Sequence, residues 1–196
     1  MSLVNPENKE IICKVVYYGP SLGGKTTNVQ HIFSETSPGE KGKLEAFDAE
    51  TERTLFYDFL PLDIGEIRGY QVRFHVYSVP GQVVYDASRK LVMKLVDGIV
   101  FVADSQKERM EENISSLRNL EVNLQQQGIE ISDIPLVIQY NKRDLPNAMS
   151  VEEMRLELNK YNAPDFEAVA QDGVGVFESL KSVSKSIVTI LKGGKI

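Results

Sequence analysis

The stretch that decides the fold is Gly19-Pro20-Ser21-Leu22-Gly23-Gly24-Lys25-Thr26, which we call the phosphate loop. It matches the pattern GxxxxGK[ST] at every fixed position, and it lies between an apolar run and a helical pattern. Glycines let the backbone wrap until successive N–H groups point at phosphate oxygens, and the following helix adds the positive end of its dipole. A glycine-rich turn that matches by chance is the alternative, and the flanking elements argue against it. The pattern therefore predicts a nucleotide-binding site.

The phosphate loop supplies a predicted set of contacts to the nucleotide. In loops of this type the lysine, here Lys25, reaches the β- and γ-phosphates, and the hydroxyl of the next residue, Thr26, binds Mg²⁺. The residues predicted to contact the nucleotide from this part of the chain are Gly19, Ser21, Leu22, Gly23, Gly24, Lys25, Thr26 and Thr27.

Apolar, strand-like runs alternate with helical patterns along the chain. The strand-like runs are residues 11–17, 54–62, 71–79, 98–103 and 135–140, with a weaker one at 167–170. The helical patterns are residues 25–34, residues 110–124 with Gly128 as the stop, a segment capped by Ser150 and Glu153, and residues 177–191. Residues 54–62 and 71–79 predict an antiparallel hairpin, whereas the polar stretch 35–53 has no period and predicts a mobile loop. The predicted fold class is therefore α/β: a P-loop NTPase with a mostly parallel central sheet, one antiparallel edge strand and helices on both faces.

Length and composition fit one domain that covers residues 1–196. The net charge of -6 argues against a nucleic-acid partner, because phosphate contacts need a basic patch. Cys13 is the single cysteine and lies in an apolar run, which predicts a core thiol in a reducing compartment. The sequence shows no signal peptide, no membrane span of about 20 apolar residues and no lipid-anchor cysteine, so we expect a cytoplasmic protein without a direct membrane anchor.

A second motif, Asn141-Lys142-Arg143-Asp144, directly follows the apolar run 135–140, and we call it the base-reading segment. The Asp144 carboxylate can accept from the two adjacent donors on the edge of guanine, a pair that adenine lacks. Asn141 would hold the surrounding loops, and the stem of Lys142 would lie over the face of the base. Taken alone, the motif also fits a charged surface turn. Its place after a phosphate loop and a buried strand favours the recognition of guanine.

These motifs resemble those of the Ras-like small GTPases, and in particular the bacterial MglA-type GTPases of gliding motility and cell polarity. The resemblance runs over nearly the whole chain and is carried by residues 17–20 (YYGP), 54–62 (TLFYDFLPL), 79–82 (VPGQ) and 141–146 (NKRDLP). It implies a G domain that binds GTP or GDP with Mg²⁺, and a switch that hydrolyses GTP slowly unless stimulated. It further implies a dimeric, roadblock-type GTPase-activating partner (MglB-like), effectors that control polarity or motility, and recruitment to a cell pole in the GTP-bound state.

The resemblance assigns roles to residues in two loops that would respond to the nucleotide. Thr54 is the best match for the threonine that contacts Mg²⁺ and the γ-phosphate, with Thr51 as the alternative. Arg53 matches an arginine finger supplied by the chain itself, although an exposed loop arginine is the more frequent case. Gly81 would donate its N–H to the γ-phosphate, and Gln82 stands where Ras-like proteins place the glutamine that orients the attacking water.

Three positions depart from the Ras-like pattern. The second switch motif, DxxG, is Ser78-Val79-Pro80-Gly81 here, so the aspartate that holds a Mg²⁺-bound water is missing, and Asp58 in the neighbouring strand is a candidate replacement. Ser21 stands where many Ras-like proteins have glycine, and its side chain can crowd the catalytic groups. The last base-contacting segment, usually SAK, is best matched by Ala168-Val169-Ala170, whose backbone N–H groups would face the guanine oxygen.

Two rival functions stay open on the sequence alone. A GTP-locked polarity scaffold with negligible hydrolysis is favoured by Ser21 and Ser78, whereas Gln82 and Arg53 favour hydrolysis. A P-loop kinase or metabolic ATPase would need a different base-reading segment, and residues 141–144 argue against it. The nucleotide that the protein releases on denaturation separates guanine binding from adenine binding.

Overall fold

The computed structural model describes residues 2–37, 45–49, 52–59, 66–79 and 86–193, with the backbone alone described for residues 45–49, 52–59 and 86–88. The strands are β1 (Leu3–Asn5), β2 (Glu10–Tyr18), β3 (Glu45–Ala49), β4 (Glu52–Phe59), β5 (Glu66–Ile67), β6 (Tyr70–Ser78), β7 (Gly98–Asp104), β8 (Leu136–Asn141) and β9 (Asp165–Glu167). The helices are α1 (Lys25–Glu35), α2 (Asp86–Val92), α3 (Met110–Gln125), α4 (Val151–Leu158) and α5 (Val176–Gly193), with short 3₁₀ helices at Lys107–Arg109 and Ile131–Asp133. Within these ranges, none of the helices is both long and apolar enough to cross a membrane.

The strands of the described ranges form one sheet in the order β3-β4-β6-β2-β7-β8-β9. Strands β6, β2, β7, β8 and β9 run parallel, and β4 runs antiparallel to β6. The short strands β1 and β5 pair antiparallel with the amino ends of β2 and β6. The prediction of a mostly parallel α/β sheet with an antiparallel β4 is therefore confirmed.

Strand β4 does not form the edge of the sheet, however, because β3 pairs with its outer side. Two predictions are therefore wrong. Strand β4 is not an edge strand, and residues 35–53, which we expected to form a loop, contain β3. The sequence of β3, EAFDA, is too short and too mixed to show an alternating pattern. Pairing with β4, a long-range contact in the sheet rather than a local preference, defines this strand. Helix α2 was also missed, because seven residues are too few to show a helical period.

Helices cover both faces of the sheet, as predicted. On one face, α1 and α5 contribute Val29, Ile32 and Val183 to a buried apolar cluster. On the other face, α3 and α4 contribute Leu120 and Met154 to a second cluster. Strand β2 supplies residues to both clusters, as expected of a central strand that is buried on its two faces.

Cys13 lies in the first of these clusters and is completely buried. Burial raises the pKa of its thiol to about 12. The thiolate, which is the reactive form of cysteine, is therefore rare at neutral pH. The prediction of a core thiol is confirmed.

Helix α4 begins at the predicted capping box. The Ser150 hydroxyl accepts a hydrogen bond from the Glu153 backbone N–H at 3.3 Å, and the Glu153 carboxylate accepts one from the Ser150 backbone N–H at 3.2 Å. Two backbone donors that have no partner within the helix are thereby satisfied.

One edge of the sheet collects the carboxyl ends of the parallel strands. Strand β2 ends at Tyr18, β6 at Ser78, β7 at Asp104, β8 at Asn141 and β9 at Glu167. Because β4 runs in the opposite direction, its amino end lies at this same edge. In open α/β sheets, ligands bind in the crevice outside the carboxyl ends of the strands. The fold therefore places the candidate site here.

Candidate functional site

The phosphate loop connects the end of β2 to the start of α1, as the motif predicts. Its backbone wraps through left-handed conformations, with φ of 143° at Gly19 and 102° at Gly24. A Cβ atom at Gly19 would lie 2.2 Å from the carbonyl oxygen of Val102, and one at Gly24 would lie 2.1 Å from Nδ2 of Asn141. The loop thus lies directly against β7 and the base-reading segment, which is an approach that only glycine permits.

The close packing at Gly24 leads to a stability prediction. Gly24→Ala should lower the free energy of unfolding by about 2–3 kcal/mol, through left-handed strain of about 1–2 kcal/mol and the loss of a hydrogen bond made by Asn141. Gly128→Ala is the matched control, because Gly128 also has a positive φ, 74°, but nothing lies within 4 Å of its Cβ position. The control should cost about 1 kcal/mol. Urea denaturation measures both variants, and equal losses would contradict the close contact.

Lys25 is the first residue of α1, and its side chain is directed into the phosphate loop. It is 5% exposed, and its Nζ donates to the carbonyl oxygen of Pro20 at 2.6 Å. Thr26 and Thr27 follow in the same helical turn and are half-buried. The first turn of α1 contains no acidic side chain. A buried ammonium group beside the N-terminus of a helix favours an anion such as phosphate, because the ammonium charge and the helix dipole are both positive there.

Asn141, in the base-reading segment, joins the phosphate loop to the segment that contains Ala170. Its Nδ2 donates to the carbonyl oxygen of Gly23 at 2.8 Å, and its Oδ1 accepts from the backbone N–H of Ala170 at 2.9 Å. The side chain is 3% exposed, so both bonds are protected from water. Asn141 therefore holds the surrounding loops together, as the sequence predicts.

A cavity of about 260 Å³ opens between these segments. It is lined by Leu22, Gly24, Thr27, Asn141, Lys142, Asp144, Leu145, Val169, Ala170 and Gln171. Its volume is near the lower limit of about 300 Å³ for small-molecule pockets, which fits one part of a nucleotide better than the whole molecule. The fold thus brings together the phosphate loop, the base-reading segment and residues 168–170, which lie far apart in the sequence.

Residues 168–170 lie beside the cavity, but their backbone differs from the prediction. Strand β9 ends at Glu167, so these residues follow the strand instead of forming it. The N–H of Ala168 donates to the Tyr140 carbonyl, that of Val169 to the Val174 carbonyl, and that of Ala170 to Asn141 Oδ1. These three donors are therefore used within the protein, contrary to the expectation that they face a guanine oxygen. Val169 and Ala170 form part of the cavity wall.

Lys142, which lines the cavity, forms an ion pair with an aspartate that has no predicted role in the sequence. Its Nζ lies 2.6 Å from Oδ2 of Asp104, the last residue of β7. Asp104 is completely buried, and its Oδ1 accepts from the backbone N–H of Gln106 at 3.1 Å. Asp104 stands at the end of a continuous apolar run, and this position could have identified it, because a carboxylate buried there needs a charged or hydrogen-bonding partner.

A pair of buried amide side chains stabilises the phosphate loop, and the sequence did not predict it. The side chains of Asn28 and Gln139 exchange two hydrogen bonds, of 2.8 and 2.9 Å, and both residues are completely buried. Asn28 also donates to the Gly24 carbonyl at 3.0 Å, and Gln139 donates to Ser179 Oγ at 3.0 Å. The pair ties α1, β8 and α5 together. Gln139 is the one polar residue in the run PLVIQY, which could have pointed to it.

The residues assigned to the two switches are only partly described. Arg53 and Thr54 lie in β4, whose backbone pairs Phe56 with Tyr77 of β6, so both residues are at the carboxyl end of β6 near the phosphate loop. Ser78, the last residue of β6, is completely buried. The other predicted switch residues, Thr51, Gly81 and Gln82, lie outside the described residues.

The strand register argues against Asp58 as the replacement for the missing aspartate. Asp58 pairs with His75, which precedes Ser78 by three residues in β6. At about 3.3 Å per residue, this separation is about 10 Å along the strand. The backbone of Asp58 is thus well removed from the sheet edge that holds the phosphate loop.

Comparison with known proteins agrees with this architecture. A model of the ADP-ribosylation factor family matches residues 44–187. The chain is 62% identical over 194 residues to the Mutual gliding-motility protein MglA of Myxococcus xanthus (strain DK1622), which covers 99% of this chain and 100% of that protein. It is also similar to ADP-ribosylation factor-like protein 4D of Homo sapiens, at 30% identity over 142 residues and 67% of each chain, and to ADP-ribosylation factor-like protein 4A of Homo sapiens, at 38% identity over 84 residues, 42% of this chain and 40% of that one.

The family match begins after the phosphate loop, so the loop and the matched region indicate the same fold independently. The match to MglA covers both, and it confirms the MglA-type resemblance that the motifs indicated. The chain therefore belongs to the ADP-ribosylation factor family of small GTPases.

Proposed function

We propose that this chain is a GTP-binding molecular switch that hydrolyses GTP to GDP slowly unless a partner stimulates it. The observation that carries the proposal is the cavity shared by the phosphate loop and the base-reading segment. A site for a nucleoside triphosphate needs both parts, and here they are joined directly by the bond from Asn141 to Gly23. The 62% identity with a gliding-motility protein supports a role in motility or cell polarity.

The guanine base would occupy the cavity. The exposed carboxylate of Asp144 would accept hydrogen bonds from the two adjacent donors of the base, and the stem of Lys142 would cover its face. Leu22 and Leu145 supply apolar surface on the same cavity. The phosphates would extend from the cavity into the phosphate loop, towards Lys25.

We expect Mg²⁺ to be held by the hydroxyl group of Thr26 together with Thr54. Within residues 2–37, 66–79 and 89–193 there is no group of three His, Cys, Asp or Glu side chains able to hold a metal. Mg²⁺ accepts one or two protein ligands together with phosphate oxygens and water, so Thr26 and Thr54 would suffice. When bound, the ion neutralises charge that develops on the phosphates. Ser78 in place of aspartate removes one charged supporting group.

The Lys25 contact can be tested alone. Lys25→Ala should weaken GDP binding by about 10² to 10³, because it removes a buried charge that meets the phosphates. Lys181→Ala, on the exposed side of α5, should bind normally. Titration of nucleotide-free protein measures both affinities, with thermal unfolding as a check on the fold. Native affinity in the Lys25 variant would contradict the phosphate-loop assignment.

The wider function follows from the family and is part of the same proposal. The whole chain, residues 1–196, would act as one G domain in the cytoplasm. A roadblock-type dimer like MglB would stimulate hydrolysis, and effectors would bring the GTP-bound form to a cell pole. A GTP-locked scaffold is the second candidate, because the Ser21 side chain can crowd the catalytic groups and Ser78 stands in place of the aspartate that holds a Mg²⁺-bound water in Ras-like proteins.

The experiment that tests the proposal is nucleotide identification followed by hydrolysis. Purified protein is denatured, and the released nucleotide is separated by chromatography. Guanine nucleotide supports the proposal, and adenine nucleotide would refute it. Hydrolysis with and without the activating partner then separates the two candidates, since a locked scaffold stays inactive in both conditions.

A further inference from the structure

Arg109 connects the phosphate loop to the rest of the sheet edge. It is the last residue of the 3₁₀ helix Lys107–Arg109 and directly precedes α3. Its Nη2 donates to the backbone carbonyl of Ser21 at 2.7 Å. The same guanidinium group forms an ion pair with Glu112, one turn further along. The phosphate loop is thus held from outside by a side chain that belongs to another element.

The same arginine also approaches the buried carboxylate that holds Lys142. Arg109 Nε lies 3.8 Å from Oδ2 of Asp104, and Lys142 Nζ lies 2.6 Å from the same oxygen. Asp104 is completely buried, whereas the Arg109 side chain is 25% exposed. Two cations therefore share one carboxylate, and a continuous chain of polar contacts runs from Ser21 through Arg109 and Asp104 to Lys142.

The two ends of this chain of contacts lie beside the same cavity. Leu22, which follows Ser21, lines the cavity from the phosphate loop, and Lys142 lines it from the base-reading segment. A fixed guanidinium group forms several directed hydrogen bonds at once, so it suits a junction of this kind. Because Asp104 is shielded from water, its contacts with the two cations are less screened than surface ion pairs.

We propose that Arg109 is a positioning residue that keeps bound guanine nucleotide in place by fixing the phosphate loop to the lysine of the base-reading segment. Arg109 does not line the cavity, so it acts through Ser21 and Lys142. The inference rests on the proposed binding of guanine nucleotide to this cavity. The contacts of Arg109 with Ser21 and Asp104, which we call the clasp, oppose movement of the phosphate loop away from Lys142. Loss of the clasp therefore raises the dissociation rate.

The test is the release of a fluorescent GDP analogue from Arg109→Gln, chased with excess unlabelled GDP. We expect release about tenfold faster than in the native protein, as for the loss of one charge-assisted hydrogen bond. Arg109→Lys should release about threefold faster, since lysine keeps the charge beside Asp104 without the planar fork that also reaches Ser21. Arg118→Gln, which changes an exposed arginine in α3, is the control and should release at the native rate.

A purely structural role for Arg109 predicts a different result. It would lower the melting temperature of the nucleotide-free protein and leave the dissociation rate of the folded fraction at the native value, which would overturn the clasp. If Arg109→Gln does not fold, the rate for Arg109→Lys decides, and a native rate in that variant would also overturn it. Failure of the native protein to bind the GDP analogue would refute the proposed function itself, so the two failures are distinguishable.

Discussion

The native protein is expected to bind GTP about 10⁴-fold more tightly than ATP. Asp144 lines the cavity together with Lys142, and its carboxylate would accept from the two adjacent donors of guanine. Adenine presents no such pair, so the carboxylate would be left facing the base without a partner. Sites built to hydrogen-bond a particular edge reject an analogue that lacks it by this order of magnitude. Competition titrations on nucleotide-free protein measure the ratio.

Asp144→Asn should reverse part of this preference. The amide can donate to the extra carbonyl of xanthine, so xanthosine triphosphate should bind better and GTP worse than in the native protein. Asp172→Asn is the matched control, because Asp172 is also exposed and follows the cavity wall at Gln171 without lining the cavity. The control should keep the native preference. Equal affinity of the native protein for ATP and GTP would remove guanine recognition from the proposed function.

The parts of the fold that sequence reasoning predicted well are those with a strong local signal. The phosphate loop needs glycine where the backbone approaches β7 and Asn141, and so it leaves a spaced motif. Strands β7 and β8 are buried along their whole length and appear as largely apolar runs. The base-reading segment was recognised because it directly follows one of these runs.

The parts that were missed depend on contacts between distant residues. Strand β3 is defined by its pairing with β4, and its own sequence contains no strand pattern. Arg109 looks like one more charged residue at the start of an amphipathic helix, and only the fold brings it to the Ser21 carbonyl, 88 residues away in the chain. The backbone N–H groups of residues 168–170 were misjudged because their acceptors are set by the fold. These acceptors are the Tyr140 carbonyl, the Val174 carbonyl and the Asn141 side chain.

The second large effect concerns hydrolysis. Arg53→Ala and Gln82→Ala should each bind GTP almost normally and lose about 10³ to 10⁵ of the partner-stimulated rate. An arginine finger stabilises charge in the transition state, and a glutamine orients the attacking water, so neither is needed for ground-state binding. The role proposed for Arg53 is supported by the register of β4, which places the backbone of Arg53 at the carboxyl end of β6. Single-turnover hydrolysis with saturating partner measures the loss.

Arg68→Ala separates a specific role of Arg53 from a general effect of removing positive charge. Arg68 is exposed in the turn between β5 and β6, at the amino end of β6 and therefore at the opposite edge of the sheet. Its removal should leave stimulated hydrolysis unchanged. Full stimulation in Arg53→Ala would mean that the partner supplies the arginine.

Because the phosphate loop is already held by Asn141, Asn28 and Arg109, we expect the partner to act on the switch residues and not on nucleotide binding. A partner that changes GTP affinity as strongly as it changes the hydrolysis rate would contradict the expectation that it acts on the switch residues.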